Sequence, residues 1–296
     1  MNVTLAIGFG LVTASILALG AVGFTLQFGA TNIFNLAFGA AMTIGMYAAY
    51  LVNVTAGASI WLGLVAGVIA GAVASGLLNR IVFMPFLRRG ISLDAIIILT
   101  LAVSVVIQNT LLALGGPEFR SFNQPSVHSL HFLGMILTTE QIAIIVMVVL
   151  VMVGLHLLLR YTRLGKAMRA TATNVGLART SGIPTDRVTM LAWIISGGLC
   201  GAAGVTFALN LATFQYTTGT DLLLIVIAAA VFGGIGQPYG AMLGGLVIGI
   251  ASEVAALVSP DFKQVIAFGI LVLMLLIRPN GLIAAPQARM GDMTTQ

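Results

Sequence analysis

Arg160 to Arg187 reads RYTRLGKAMRATATNVGLARTSGIPTDR and gathers Arg160, Arg163, Lys166, Arg169, Arg179 and Arg187 in a chain that is otherwise nearly free of charge. Of its 296 residues 59% are hydrophobic and only 7% charged, and the mean hydropathy is +1.10. Ordinary soluble domains carry roughly 25% charged residues. A basic segment in such surroundings is a connection between membrane crossings, and the chain reads as an all-α, polytopic transmembrane helix bundle.

Working outward from this segment, apolar runs place spans near residues 3 to 26, 33 to 53, 58 to 78, 94 to 114, 139 to 159, 188 to 210, 222 to 232, 241 to 258 and 263 to 278. That makes eight to nine crossings in a single transmembrane domain covering residues 1 to 296. The first run lacks a basic leader and is longer than a signal-peptide core, so it is expected to be retained as a helix. Arg80, Arg88 and Arg89 lie two crossings before Arg160 to Arg187, so both basic loops fall on one side, which the positive-inside bias makes cytoplasmic. The N-terminus and the 115 to 138 loop are then outside, and Arg278 and Arg289 fall inside only if the crossings number nine. The run 222 to 232 is short, and GGIGQPYG at 233 to 240 interrupts the apolar pattern, which predicts either a tight turn or a broken helix. Non-helical backbone deep in a membrane persists only where protein or a watery cavity surrounds it.

Several function classes are excluded. No G-x-x-x-x-G-K-[ST] loop occurs, because Lys166 is followed by Ala167 and Arg160 occupies the first glycine position. The glycines at 233 to 240 lack the strand and crossover unit of a dinucleotide fingerprint. Although the sequence pI is near 9.9, no basic stripe interleaved with stacking aromatics suggests nucleic acid. Cys200 is the one cysteine, and His128 and His131 lack further ligands nearby, so no metal is expected. Asp94, Glu140, Asp221 and Glu253 fall near span ends and His156 lies one turn before Arg160, which argues against a proton or sodium relay.

What remains is packing, polarity and one amphipathic segment. Small residues recur every fourth position at Gly63, Gly67, Gly71 and Ser75, at Gly197 and Gly201, and at Gly240, Gly244, Gly245 and Gly249 in two overlapping pairs, which predicts close helix crossings. Neutral polar residues enter the spans at Gln27, Thr31, Asn32, Asn35, Gln108, Asn109, Asn210 and Gln215, either to satisfy one another or to line a route for a polar solute. Leu164, Met168, Thr171, Val175 and Ala178 form one helical stripe, with Arg163, Lys166 and Arg169 opposite and Gly-Ile-Pro at 182 to 184 ending it. Thr185 or Asp186 is placed to cap the next span. The stripe predicts a short amphipathic helix that either anchors on anionic lipid or docks into a groove of a cytoplasmic partner.

Four blocks resemble the membrane subunits of bacterial ABC importers for branched-chain amino acids and their relatives for urea and short amides. They are NIFNLAFGAAMTIGMYAAY at 32 to 50, GKAMRATATNVGLARTSGIPTDRV at 165 to 188, AVFGGIGQPYGAMLGGLVIG at 230 to 249 and IRPNGLIAAP at 277 to 286. The resemblance implies that residues 160 to 187 are the cytoplasmic coupling segment, with Gly165, Lys166, Met168, Arg169, Asn174 and Arg179 toward an ATPase. It implies a second homologous permease subunit, two cytoplasmic ATPase subunits that bind ATP and Mg, an external substrate-binding protein, and residence in the inner membrane. No catalytic residue and no cofactor belong to this chain itself. Asn32, Asn35, Phe38, Gly233, Gly234 and Gly236 are the candidate lining of the solute path. Where the family often has a polar run, this chain has Ala37, Phe38, Gly39 and Ala40, which favours a hydrophobic amino acid as cargo over urea or a short amide.

Overall fold

The computed structural model describes residues 3–90, 92–123, 129–132, 135–259, 262–278 and 281–283. Its helices are α1 (Val3–Thr31), α2 (Ala37–Tyr50), α3 (Ile60–Leu78), α4 (Met84–Arg88), α5 (Leu93–Gly115), α6 (Thr139–Tyr161), α7 (Arg163–Thr173), α8 (Val175–Thr180), α9 (Thr185–Leu211), α10 (Thr218–Gly233), α11 (Pro238–Ala255) and α12 (Phe262–Ile277). Seven of the resulting helical stretches are long and apolar enough to cross a membrane, and α10 and α12 are shorter apolar helices. The chain is an all-α polytopic bundle, as the apolar runs predict. A short antiparallel hairpin, β1 (Ser129–Phe132) and β2 (Met135–Thr138), precedes α6. Thr138 then caps α6 reciprocally with Gln141.

The elements start and stop for local reasons. Ser59 Oγ accepts from the Leu62 amide at 3.4 Å and opens α3. The α2 helix widens into a π turn over Leu51–Thr55, and α3 into another over Asn79–Phe83, which turn Asn53 and Asn79 into the protein. The run read as 222 to 232 begins earlier, at Thr218, because Gln215, Thr217 and Thr218 supply the hydrogen bonds of the preceding turn.

α1 is the axis of the bundle and packs against α11, α9, α10 and α6. The glycine ladders do what their spacing predicts. A Cβ on Gly201 would lie 2.2 Å from the Gly67 carbonyl oxygen, and one on Gly197 would lie 2.4 Å from that of Gly71, so α3 and α9 cross with backbones in contact. Gly245 and Gly249 give the same closeness to Ala18 and Ala14 of α1. Lipid tails offer no hydrophobic drive for helix association, so dispersion across such bare crossings holds the bundle together. Ser196 Oγ donates to the Gly23 carbonyl at 2.7 Å, and Phe24 meets Phe34 and Phe38 edge to face.

The bundle has two unlike ends. At one lie α4, α7, α8 and the arginines; at the other lie the Leu51–Thr55 turn, the 116–123 segment and the hairpin. The glycine segment 233 to 240 resolves as a four-residue turn between α10 and α11, with Gly234 at φ 110° and Gly236 at φ 87°. It sits beside Gly29, two residues before α1 ends, and so belongs to the arginine-rich end.

Candidate functional site

The basic segment is built onto the bundle by two ties. Thr162 Oγ1 accepts from the Gly165 amide at 3.0 Å and starts α7 one residue after α6 stops. A Cβ on Gly165 would lie 2.3 Å from the Leu159 carbonyl oxygen, so this reversal requires glycine. The Arg169 guanidinium reaches back to that same Leu159 carbonyl, neutralising a helix C-terminus that lacks its own donors. At the far end Arg179 bonds Thr185 Oγ1 at 3.3 Å and Asp186 Oδ1 at 3.4 Å, which fastens α8 to the first turn of α9. Thr185 is therefore the partner of Arg179 rather than a cap, and the cap position falls to Pro184.

The amphipathic helix expected over 164 to 178 divides in two. Asn174 leaves helical geometry, ends α7, and accepts from the Leu177 amide at 2.9 Å to begin α8. Leu164, Met168, Thr171 and Ala178 turn toward the chain's own spans, so this stripe does not face a partner. The bundle satisfies it first because the ends of α6 and α9 lie directly beneath. Val175 escapes at the break and is 48% exposed, with Leu177 at 66%. The outward surface consists of Val175 and Leu177 together with exposed Arg163 and Lys166. Beside it a recess of ≈750 Å³ runs between Thr31, Leu87 and Ile183, rimmed by Arg179 and Arg187.

Of the six residues expected along the solute path, Asn35, Phe38, Gly233 and Gly234 are held by structural contacts, whereas Asn32 and Gly236 are open. Asn32 adopts φ 53° where α1 ends and is exposed, whereas Asn35 is buried and its Oδ1 accepts from the Ala37 amide at 3.0 Å. Thr100 of α5 holds the non-helical backbone between α1 and α2, accepting from the Leu36 amide and donating to the Phe34 carbonyl. Phe38 is fully buried against Phe24. Gly233 meets the Gly240 backbone and Gly234 the Gly281 backbone, closer than any side chain allows, and Gly236 faces open space. The two groups are joined through α1, which touches the asparagine segment at Phe24 and the glycine turn at Gly29.

Further polar groups collect toward the opposite end, where Gln108, one of the neutral polar residues read in the spans, joins residues that the sequence reading did not single out. Gln108 Nε2 donates to Ser104 at 3.1 Å and to Thr220 at 3.0 Å, joining α5 to α10. Thr43 Oγ1 accepts from the Gly219 amide at 3.2 Å, where α2 and α10 touch at Gly39 and Gly219. One turn further, Arg120 lies over the rings of Tyr47 and Tyr50, with Phe214 edge-on to both and Phe122 stacked on Phe214 at 5.1 Å. The available signal was a lone arginine in the loop assigned to the side opposite the basic one. His128 of that loop lies outside the described residues.

The family model for the branched-chain amino acid transport system / permease component matches residues 6–275. The chain belongs to this permease family. The permease is 31% identical to the high-affinity branched-chain amino acid transport system permease protein LivH of Escherichia coli K12, over 94% of each chain. It is equally 31% identical, over 94% of each, to BraD of Pseudomonas aeruginosa, described in the same words. A probable branched-chain amino acid transport permease protein of Methanocaldococcus jannaschii is 28% identical over 92% of this chain and 90% of its own. Among solved structures, a chain of PsaBC from Streptococcus pneumoniae, in complex with a Fab, superposes with a TM-score of 0.51 at 14% identity and covers 92% of this permease and 91% of itself. That likeness supports the fold alone. By family the permease is a component of a transport system.

Proposed function

We propose that this permease is the membrane-spanning subunit of an importer for branched-chain or related hydrophobic amino acids, driven by separate ATPase subunits. In this reading residues 1 to 296 form one transmembrane domain in the inner membrane, with the N-terminus outside, the 115 to 138 loop outside and the arginine-rich end in the cytoplasm. A second homologous permease subunit completes the core, two ATPases bind ATP and Mg beneath it, and an external binding protein delivers the solute. The residues read from the sequence as lining the solute path, Asn32, Asn35, Phe38, Gly233, Gly234 and Gly236, act by shaping the helices that move. The observation that carries the proposal is the construction of α7 and α8: Gly165, Met168, Arg169, Asn174 and Arg179 fix two short helices rigidly to α6 and α9. Lys166, Val175 and Leu177 are left outward, exposed among the described residues. A lever tied at both ends transmits a push on its outer face to two spans at once.

The test uses cells whose only copy of the permease is supplied on a plasmid, alongside their native partners. Lys166→Glu with Leu177→Asp is expected to lower leucine uptake about tenfold or more, because a basic and apolar contact is replaced by two anions. The amount of protein in the membrane should not change, since both side chains are exposed. Unaltered uptake overturns the coupling role. Proteoliposomes that contain this chain alone and pass urea or a short amide without ATP overturn the importer reading itself.

A further inference from the structure

At the end of the bundle opposite the basic loops, two buried donor groups converge, the Tyr47 hydroxyl and Arg120 Nε, and neither closes a hydrogen bond. The Arg120 guanidinium lies 4.9 Å from the Tyr50 ring centroid and 5.9 Å from that of Tyr47, and it also donates to the Gly115 carbonyl at the end of α5. Tyr47 Oη and Arg120 Nε are both shielded from solvent without a hydrogen-bond partner, while the Arg120 guanidinium lies over the Tyr47 ring. A buried donor left unpaired is costly, and two of them side by side call for one shared acceptor. Arg120 takes part in no ion pair among the described residues. Its surroundings are otherwise aromatic: Phe214 is fully enclosed, and Phe122 stacks over it as a lid.

The segment carrying Arg120 is attached in a manner suited to opening. It pairs with the 212–217 turn through one isolated bridge, Arg120 with Phe214. Asn53 holds its far end by imitating a peptide group, accepting from the Asn123 amide at 2.8 Å and donating to the Asn123 carbonyl at 3.3 Å. Just before the bridge, Phe119 is 69% exposed. Few hydrogen bonds need break for the lid to lift.

We infer that Arg120 and Tyr47 form an outer-gate site that receives the carboxylate of a zwitterionic amino acid as it enters the permease. This rests on the importer reading above and adds the residues that take the solute's charged end. A carboxylate oxygen accepts from Arg120 Nε and Tyr47 Oη together, and such charge-assisted pairs are the strong ones. Tyr50, Phe122 and Phe214 give the apolar side chain of a branched-chain amino acid an aromatic surface. A carboxylate carried on the surface of a docking protein has the same chemistry; the enclosed aromatic position favours the small solute.

Two measurements decide it. In the plasmid-complemented cells, Tyr47→Phe removes a hydroxyl that makes no hydrogen bond, so membrane abundance and thermal midpoint should hold while leucine uptake falls several-fold. Arg120→Gln should reduce uptake about tenfold or more, with Arg120→Lys in between. In the purified wild-type permease in nanodiscs, millimolar leucine should protect Arg120 from phenylglyoxal, read by peptide mass spectrometry. Leucinamide, which keeps the ammonium and side chain but lacks the carboxylate, should not protect. Equal protection by both, or none by leucine, overturns the solute site and leaves the arginine to a protein-borne carboxylate or to the fold. Full uptake in the Tyr47→Phe and Arg120→Gln cells overturns the gate while the importer reading stands. If cells lacking the permease import amino acids normally, both fall.

Discussion

Glu253 is the buried carboxylate of this chain whose position explains itself. Its Oε1 accepts from Thr13 Oγ1 at 2.9 Å and from Lys263 Nζ at 2.8 Å, so one acid draws α1, α11 and α12 together near the end of the bundle away from the arginines. The lysine side chain is 41% exposed and the glutamate 9%, which means that water screens the pair only from one side. Removing the lysine leaves a nearly enclosed anion with one hydroxyl for company. Lys263→Met is expected to destabilise the permease by about 1–3 kcal/mol, seen as a lower thermal midpoint in detergent, and Glu253→Gln in the same background should restore part of the loss. A midpoint that does not move would mean that the pair only decorates the surface. The sequence placed Glu253 near a span end and assigned it no relay, but its partners lie 240 and 10 residues away. Only the first of these separations is beyond what periodicity can find.

At the scale of elements, the basic segment shows why a helical pattern was legible while the surface its apolar stripe meets was not. Leu164, Met168, Thr171 and Ala178 do share a face, and that face is apolar for the usual reason: it packs on the chain's own spans. Periodicity reports that a stripe is buried and cannot report by what. The break at Asn174 was hidden because asparagine is tolerated inside a helical pattern, yet its side chain caps better than it continues. Asn174→Ala should cost about 1 kcal/mol of local stability and let α7 run on, swinging Val175 and Leu177 to another bearing. The expected outcome is normal membrane insertion and global thermal midpoint, faster amide hydrogen exchange over 174–181, and impaired uptake. If exchange is unaltered, the cap does not govern the break. The glycine crossings were the better legible case, because lipid leaves small residues few other uses and their partners repeat the same four-residue spacing.

For the whole molecule, the apolar runs marked the seven long apolar helices and the two shorter ones within a few residues, apart from the later end of α1, the earlier start of α10 and the continuation of the third span to Leu87. Connectivity then follows from antiparallel contacts: α1 meets α11 with Gly249 beside Ala14 and Gly245 beside Ala18, so the two helices run in opposite directions. The outer gate was illegible because it is assembled from α2, the 116–123 segment and the 212–217 turn, pieces nearly a hundred residues apart that no local pattern relates. The proposal that the arginine-rich end faces the cytoplasm rests on the positive-inside bias, and labelling tests it directly. Cys200 is the chain's one cysteine and is fully buried, so the unmodified permease should give little reaction with a thiol reagent. Phe119 and Leu177 are 69% and 66% exposed at opposite ends and tolerate replacement by cysteine without loss of packing. A membrane-impermeant maleimide applied to intact cells should label Phe119→Cys, and Leu177→Cys should react only after permeabilisation. The reverse pattern would put six basic residues of Arg160 to Arg187 outside, against the bias that positions them, and would carry α7 and α8 away from any ATPase.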